Sequence, residues 1–363
     1  MRKRATLAAA ATLLGALAAA PTAHAAPAEA PHGQGLDHCA ATDTGALACH
    51  FDVAPGTYDV SVTLGGDEHR STAVAGETRR ALLAETVTEA GQRAARSFTV
   101  DVRHPEGEPT GPAGSPGLDQ VIAGGAPGAT ALRVTPARAA RRLLLVGDST
   151  VCDQPGAPYA GWGQMLPVHL KRGIAVANHA DSGESTVSFL ANPALFDRVE
   201  AAIRPGDPVL IQLAHNDTRT DAATYRANLT TLVERVRARG GEPILVTPIV
   251  RRRFGADGTL DNGTALLVNG LGVDHPAEIR ALAAGLGTPL IDLTALTRAR
   301  VEALGPEASK ALYLTTEKRD DTHTSVRGAT EYAALVAAEL RALGIVPDRL
   351  LRRPAPGTPL RFR

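Results

Sequence analysis

Aromatic side chains are scarce in this 363-residue chain: Phe, Trp and Tyr make up 3% of it, with one Trp. Its cores must therefore be built from Ala, Val, Leu and Ile. An excess of charge of either sign is also absent, because 38 basic and 38 acidic side chains cancel. A nucleic-acid binder would carry a basic excess or a basic stripe, so that class is excluded. Lysine is nearly missing, with Lys3, Lys171, Lys310 and Lys318 the whole set, and nothing functional follows from this. Cysteine is limited to three residues, and neither a C-x-x-C pair nor an H-E-x-x-H stretch occurs. Zinc ribbons and zincins are therefore not implied. His179, Asp181, His215 and Asp217 have metal-ligand chemistry, but no ligand spacing singles them out. No metal and no cofactor is expected. Disorder is excluded too, since 44% of the chain is hydrophobic.

Long apolar runs are missing beyond the first 20 residues. Arg2, Lys3 and Arg4 precede an almost unbroken apolar stretch from Ala5 to Ala20, and Ala23-His24-Ala25 supplies small residues at a cleavage site. This is the pattern of a secretory signal peptide over residues 1–25, too short for a comfortable membrane span. The expected product is secreted and extracellular, with no membrane association after cleavage. An oxidising compartment predicts a small-loop disulfide between Cys39 and Cys49. Cys152 is then left over as a small buried hydrophobe.

Residues 26–138 read as β structure. Phe51 and Val53 alternate with polar neighbours, as do Tyr58, Val60, Val62 and Leu64, and then Phe98, Val100 and Val102. Period two between Gly and Pro breaks is the strand signal, and several short strands predict a small β-sandwich. His104 to Gly117 reads as a loop, and Ala131 to Thr135 as a last strand. Phe51, Tyr58 and Phe98, the module's only aromatics, all fall in strand patterns. A structural or lip-forming role is therefore favoured over sugar binding.

From Leu143 the texture changes. Apolar runs at 143–146, 174–177, 209–213, 244–246 and 290–291 have the form of buried parallel strands. Helical patterns lie between and after them, at 222–239 and 331–343. Alternation of the two predicts a parallel sheet covered on both faces, over residues 139–350, followed by a tail at 351–363. In such sheets ligands bind at the carboxyl ends of the strands. Those ends carry Gly147-Asp148-Ser149-Thr150, then Asn178 to Ser185, then Ala214-His215-Asn216-Asp217. Asp320 to Ser325 lies just before the last helix.

These residue types are the set that acyl transfer needs. A serine hydroxyl requires a neighbouring base. Five histidines follow Ser149, and only His323 has a carboxylate three residues upstream to orient its ring. Asp321 competes with Asp320 for that role, with spacing in favour of Asp320. The backbone N–H groups of Ser149 and Gly183 and the amide of Asn216 could form an oxyanion hole. Trp162 either belongs to the core or walls the acyl pocket. His215 and Asp217 are weaker candidates for the pocket. The G-x-S-x-G elbow is absent, which disfavours an α/β-hydrolase lipase.

Gly147-Asp148-Ser149, Gly183, Asn216 and Asp320-x-x-His323 together resemble the four ordered blocks of the SGNH, or GDSL, hydrolase superfamily. The resemblance implies a flavodoxin-like three-layer α/β/α domain, with Ser149 as nucleophile, His323 as base and Asp320 as its partner. It also implies an oxyanion hole of Ser149, Gly183 and Asn216. Gly161 to Gln164, His215 to Asp217, Asp320 to Thr324 and Thr247-Pro248 with Arg251 to Phe254 are most similar to rhamnogalacturonan acetylesterases, some of which carry an amino-terminal β-domain. The implied partner is an acetylated plant cell-wall polysaccharide. A broad GDSL lipase or arylesterase, and a non-catalytic carbohydrate-binding protein with a vestigial triad, are the alternatives. Oligomeric state is not legible.

Overall fold

Eight strands come first in the structure, a computed structural model that describes residues 35–353. The expected signal peptide and the first residues of the β module lie outside the described residues. The strands are β1 (Cys39–Ala41), β2 (Leu47–Phe51), β3 (Gly56–Gly65), β4 (Arg70–Gly76), β5 (Arg80–Thr88), β6 (Arg93–Val102), β7 (Leu118–Ala126) and β8 (Ala129–Pro136). They form two antiparallel sheets, ordered β1-β2-β7-β4-β5 and β6-β3-β8. In β3, alternation turns Tyr58, Val60, Val62 and Leu64 to one face. There they share a core with Phe98 and Val134 of their own sheet and with Phe51, Val74, Leu82, Leu118 and Ile122 of the other. Cys39 and Cys49 face each other across β1 and β2 and are bridged.

The sequence pattern does not reveal β4, β5 or β7. Arg70–Gly76 and Arg80–Thr88 are rich in Ala, Ser and Thr, and register shifts interrupt their pairing. Two-residue alternation is lost at such bulges. The edge strand β5 also has an environment that local sequence cannot report, because it packs against α1 and the turn of helix after it in the second half of the chain.

That half begins at β9 (Arg141–Gly147) and continues with β10 (Ile174–Asn178), β11 (Pro208–Gln212), β12 (Glu242–Val246) and β13 (Leu290–Ile291). All pair in parallel, in the order β10-β9-β11-β12-β13. Counted within this sheet the order is 2-1-3-4-5, and the winding reverses between β9 and β11. Eight helices accompany it: α1 (Trp162–Met165), α2 (Thr186–Ala191), α3 (Phe196–Ala202), α4 (Ala222–Ala238), α5 (His275–Leu286), α6 (Leu293–Ala308), α7 (Thr315–Lys318) and α8 (Val326–Ala342). Phe189, Phe196, Tyr225, Leu232 and Ile279 from α2 to α5 fill the core on one face. Trp162, Val301, Tyr332 and Val336 from α1, α6 and α8 fill it on the other. The long helices start at side-chain caps, Asp221, Asp274, Asp292 and Ser325, each accepting a backbone N–H of the first turn.

A short antiparallel pair, β14 (Tyr313–Leu314) with β15 (Asp320–Thr324), precedes α8. Asp320 to Thr324, which the sequence places only as lying just before the last helix, is thus a strand. The described residues belong to one compact unit. Of the expected tail at 351–363 only residues 351–353 are described, and there the Arg352 guanidinium donates to the Leu170 and Ser97 carbonyls. Among the described residues no helix is long and apolar enough to cross a membrane.

Candidate active site

Gly147 ends β9 where space is tight: a Cβ there would lie 2.5 Å from the Val151 side chain and 3.1 Å from the Gln212 carbonyl oxygen. The chain then turns sharply. Asp148 fixes the turn by accepting from the Thr150 backbone N–H (2.9 Å) and hydroxyl (2.7 Å), and its carbonyl accepts from Val151 and Cys152. Burial alone would raise the Asp148 carboxyl, but His215 and the Thr150 bonds hold it below its usual range. Ser149 sits on the outside of this turn.

The Ser149 Oγ lies 2.9 Å from His323 Nε2, and His323 Nδ1 lies 2.6 Å from Asp320 Oδ2. A carboxylate only accepts, so Nδ1 carries the proton and Nε2 offers a lone pair to the serine hydroxyl. Asp320 Oδ1 also accepts from the N–H groups of Thr322 (2.8 Å) and His323 (3.0 Å). Partial burial pushes the Asp320 carboxyl up, yet these bonds and the imidazole outweigh it and hold the pKa below the ordinary value. Asp321 points elsewhere, to the Arg252 guanidinium (3.0 Å) and the Thr315 hydroxyl (2.5 Å). Alternation along β15 sends neighbouring side chains to opposite faces, which separates the two carboxylates.

Gly183 and Asn216 follow β10 and β11, the strands on either side of β9, so both flank Ser149 at the carboxyl edge of the sheet. Gly183 adopts φ 82°, a left-handed conformation that favours glycine, and is exposed. Among the described residues, neither Ser149 N–H nor Gly183 N–H has a protein acceptor. One amide hydrogen of Asn216 goes to the Glu184 carbonyl (3.0 Å), leaving the other.

Trp162 is not a pocket wall. It is 1% exposed, and its indole N–H donates to Gln212 Oε1 (2.9 Å) beneath the turn. Gln212 donates on to Thr150, which links the indole to Asp148 and so to His215 Nδ1, 3.2 Å away. A ring without an accessible face supports the site from below. Asp217 is likewise fully buried, accepting from Thr186 and Thr220, and does not reach a pocket. His215 does line one. Cys152 is buried, and burial together with the Glu108 charge pushes its thiol well above the usual range. It is inert as a nucleophile.

Tyr159 was not legible as a site residue, yet its ring meets His323 edge-on at 5.6 Å. Glu108, far away in sequence, accepts from the Ser182 N–H (2.8 Å) beside Gly183. Neither position carries a local motif that could have marked it.

The pattern of the GDSL-like Lipase/Acylhydrolase family matches residues 145–331. The chain belongs to this family. It is 37% identical over 229 residues to rhamnogalacturonan acetylesterase RhgT of Bacillus subtilis strain 168, covering 58% of this chain and 95% of that one. Similarity to the uncharacterized esterase YxiM of the same organism runs longer, 30% over 312 residues, covering 82% of this chain and 74% of that one. The crystal structure of YxiM superposes with a TM-score of 0.52 at 28% identity, over 83% of this chain and 81% of that one. The YxiM match is too long to be confined to the parallel-sheet half and extends into the antiparallel strands.

Proposed function

We propose that the protein is a secreted serine carbohydrate esterase that removes acetyl groups from plant cell-wall polysaccharide through an acyl-enzyme. One observation carries the reading: a family-matched strand end where Ser149, His323 and Asp320 form a hydrogen-bonded chain. The similarity to RhgT supplies the substrate class. The antiparallel strands are read as an accessory β-sandwich over residues 26–138, lending a lip to a flavodoxin-like catalytic domain over 139–350. Export is supported by the basic, apolar and small-residue pattern of residues 1–25.

In this mechanism Ser149 Oγ bonds to the acetyl carbonyl carbon while its proton passes to His323 Nε2. Asp320 holds Nδ1–H and stabilises the imidazolium without taking its proton. The developing oxyanion meets the N–H groups of Ser149 and Gly183 and the Asn216 amide, each typically worth about 3–4 kcal/mol of barrier. Collapse breaks the bond to the sugar oxygen, which leaves with the His323 proton. Water then attacks the acetyl-serine with His323 as base, releasing acetate. An acetate-release panel on acetylated rhamnogalacturonan, acetylated xylan and aryl acetates tests the proposal. Release from rhamnogalacturonan is expected, and hydrolysis of aryl esters alone would replace it with a broad arylesterase.

A further inference from the structure

The turn between β4 and β5 carries two non-glycine residues in the left-handed region, Glu77 at φ 49° and Arg79 at φ 55°. Side chains rarely adopt that conformation, and such positions persist where the surroundings impose them. What surrounds Arg79 is the segment that leaves the Ser149 turn. Its Nη1 donates to two carbonyls of that segment, Gln154 (3.0 Å) and Tyr159 (3.1 Å). Burial lowers the Arg79 pKa, and among the described residues no neighbouring charge offsets it. The guanidinium is thus placed for hydrogen bonds to the backbone and not for an ion pair. Beside it the Thr78 carbonyl accepts from Gln164 Nε2 (2.8 Å), which also donates to the Gln154 carbonyl (3.0 Å).

The clamped segment touches the triad at both ends. At one end Gln154 Nε2 donates to the Ser149 carbonyl (2.9 Å). At the other, Tyr159 sets its ring against His323. Ala160 is then bonded to Thr324 in both directions, its N–H donating to the Thr324 carbonyl (3.3 Å) and its carbonyl accepting from the Thr324 hydroxyl (2.6 Å). The segment therefore runs from the nucleophile to the strand that carries the base. Between these ends Pro155, Gly156 and Ala157 are exposed, so packing does little to fix the span between them. Arg79 joins the two ends directly, through hydrogens of one nitrogen.

We propose that Arg79, contributed by the antiparallel strands, is a positioning residue that sets Ser149 Oγ against His323 Nε2 by tying Gln154 to Tyr159. The inference rests on the serine-esterase reading and adds to it a residue outside the family-matched span of 145–331. Hydrolysis of para-nitrophenyl acetate by the full chain, and labelling of Ser149 by diisopropyl fluorophosphate, test it. In the labelling step Oγ bonds to phosphorus, fluoride leaves, and His323 Nε2 takes the hydroxyl proton. Its rate therefore reads the Ser149–His323 pair with no sugar present. Arg79→Met keeps an apolar stem and removes the donors. It should lower kcat and the labelling rate together by roughly 10- to 100-fold, with KM changed less than about threefold. Because both bonds leave from one nitrogen, Arg79→Lys can remake them with Nζ and should recover most of both rates. Should Arg79→Met not fold, Gln164→Leu cuts the neighbouring bonds to Thr78 and Gln154 and should bring a loss of the same kind. Unchanged rates in these variants, a loss confined to KM, or equal losses in Arg79→Met and Arg79→Lys would overturn the assignment. Failure of the wild type to be labelled would sink the serine mechanism itself. A wild type and an Arg79→Met that are labelled equally fast would sink only the role of Arg79.

Discussion

Ser149 and His323 stand or fall together, because the hydroxyl is a weak nucleophile until Nε2 takes its proton. Ser149→Ala and His323→Ala should each lower the esterase rate by about 10³-fold or more in a folded protein, as for residues acting as a unit. Near-normal turnover of soluble Ser149→Ala would end the serine mechanism, and the buried, proton-retaining Cys152 offers no substitute. The two adjacent aspartates give a sharper test. Since the Asp320 pKa is held low, the carboxylate is ionised at neutral pH and above and is available there to hold Nδ1–H. Activity that depends on this carboxylate is therefore present at neutral pH and above and is lost as pH falls through the Asp320 titration. Asp320→Asn should slow turnover by about 10⁴-fold through the wrong tautomer. Asp321→Asn, which loses only the Arg252 and Thr315 contacts on a half-exposed group, should change it less than about tenfold. Rates of both variants between about pH 5 and 9 decide the matter. The triad was legible because its chemistry is local: a serine at a strand end, and an aspartate three residues before a histidine. Tyr159 and Glu108 carry no such local pattern and meet the site only through the fold.

Elements, rather than residues, determine whether the oxyanion donors stay in place. The irregular segment from 104 to 117 belongs to the β module, yet it grips the turn after β10 at two points. Glu108 accepts from the Ser182 N–H, and Thr110 donates its backbone N–H (2.7 Å) and hydroxyl (2.9 Å) to Asp181. Gly183 follows directly in a left-handed conformation with nothing packed around it, so the grip on its neighbours is what holds its N–H. A misplacement of about 1 Å can cost about 10²-fold in rate. Glu108→Ala should therefore reduce kcat by roughly 10- to 100-fold with little change in KM. Glu108→Gln, which keeps an acceptor oxygen for Ser182, should recover most of it. Equal losses in both, or a loss confined to KM, would mean that the loop contacts substrate instead. Period-two alternation exposed β3 and β6 in the sequence because apolar Tyr58, Val60, Val62 and Leu64, and then Phe98, Val100 and Val102, take every second position and meet in one core. It failed for β4 and β5, where register shifts interrupt the pairing and β5 packs against another part of the protein.

At the scale of the whole molecule, those strands make the two halves one structure. Arg80, at the start of β5, reaches Asp153 just after the Ser149 turn, with Nε 2.8 Å from Oδ2 and both side chains almost wholly buried. The same guanidinium donates to the carbonyls of Asp101 and Glu106, while Asp153 Oδ1 accepts from Asn178 at the end of β10. Burial works against the Arg80 charge, but Asp153, Glu77 and Asp101 outweigh it and keep the pKa above its usual value. Removing one member of such a pair strands the other charge in a low dielectric and costs about 3–5 kcal/mol. Asp153→Asn should lose about that much stability in urea. Trp162, the only Trp, reports on the parallel-sheet half, whereas far-UV circular dichroism reports on all strands and helices. If the buried pair ties the halves together, both probes should show one coincident transition in the wild type. In Asp153→Asn that transition should move to lower urea, or split so that the antiparallel strands melt apart from Trp162. A wild type with two separate transitions, or a variant that loses less than about 1 kcal/mol, would show the halves to be energetically independent. Glu108 would then hold the Ser182–Gly183 turn from a module free to detach from it.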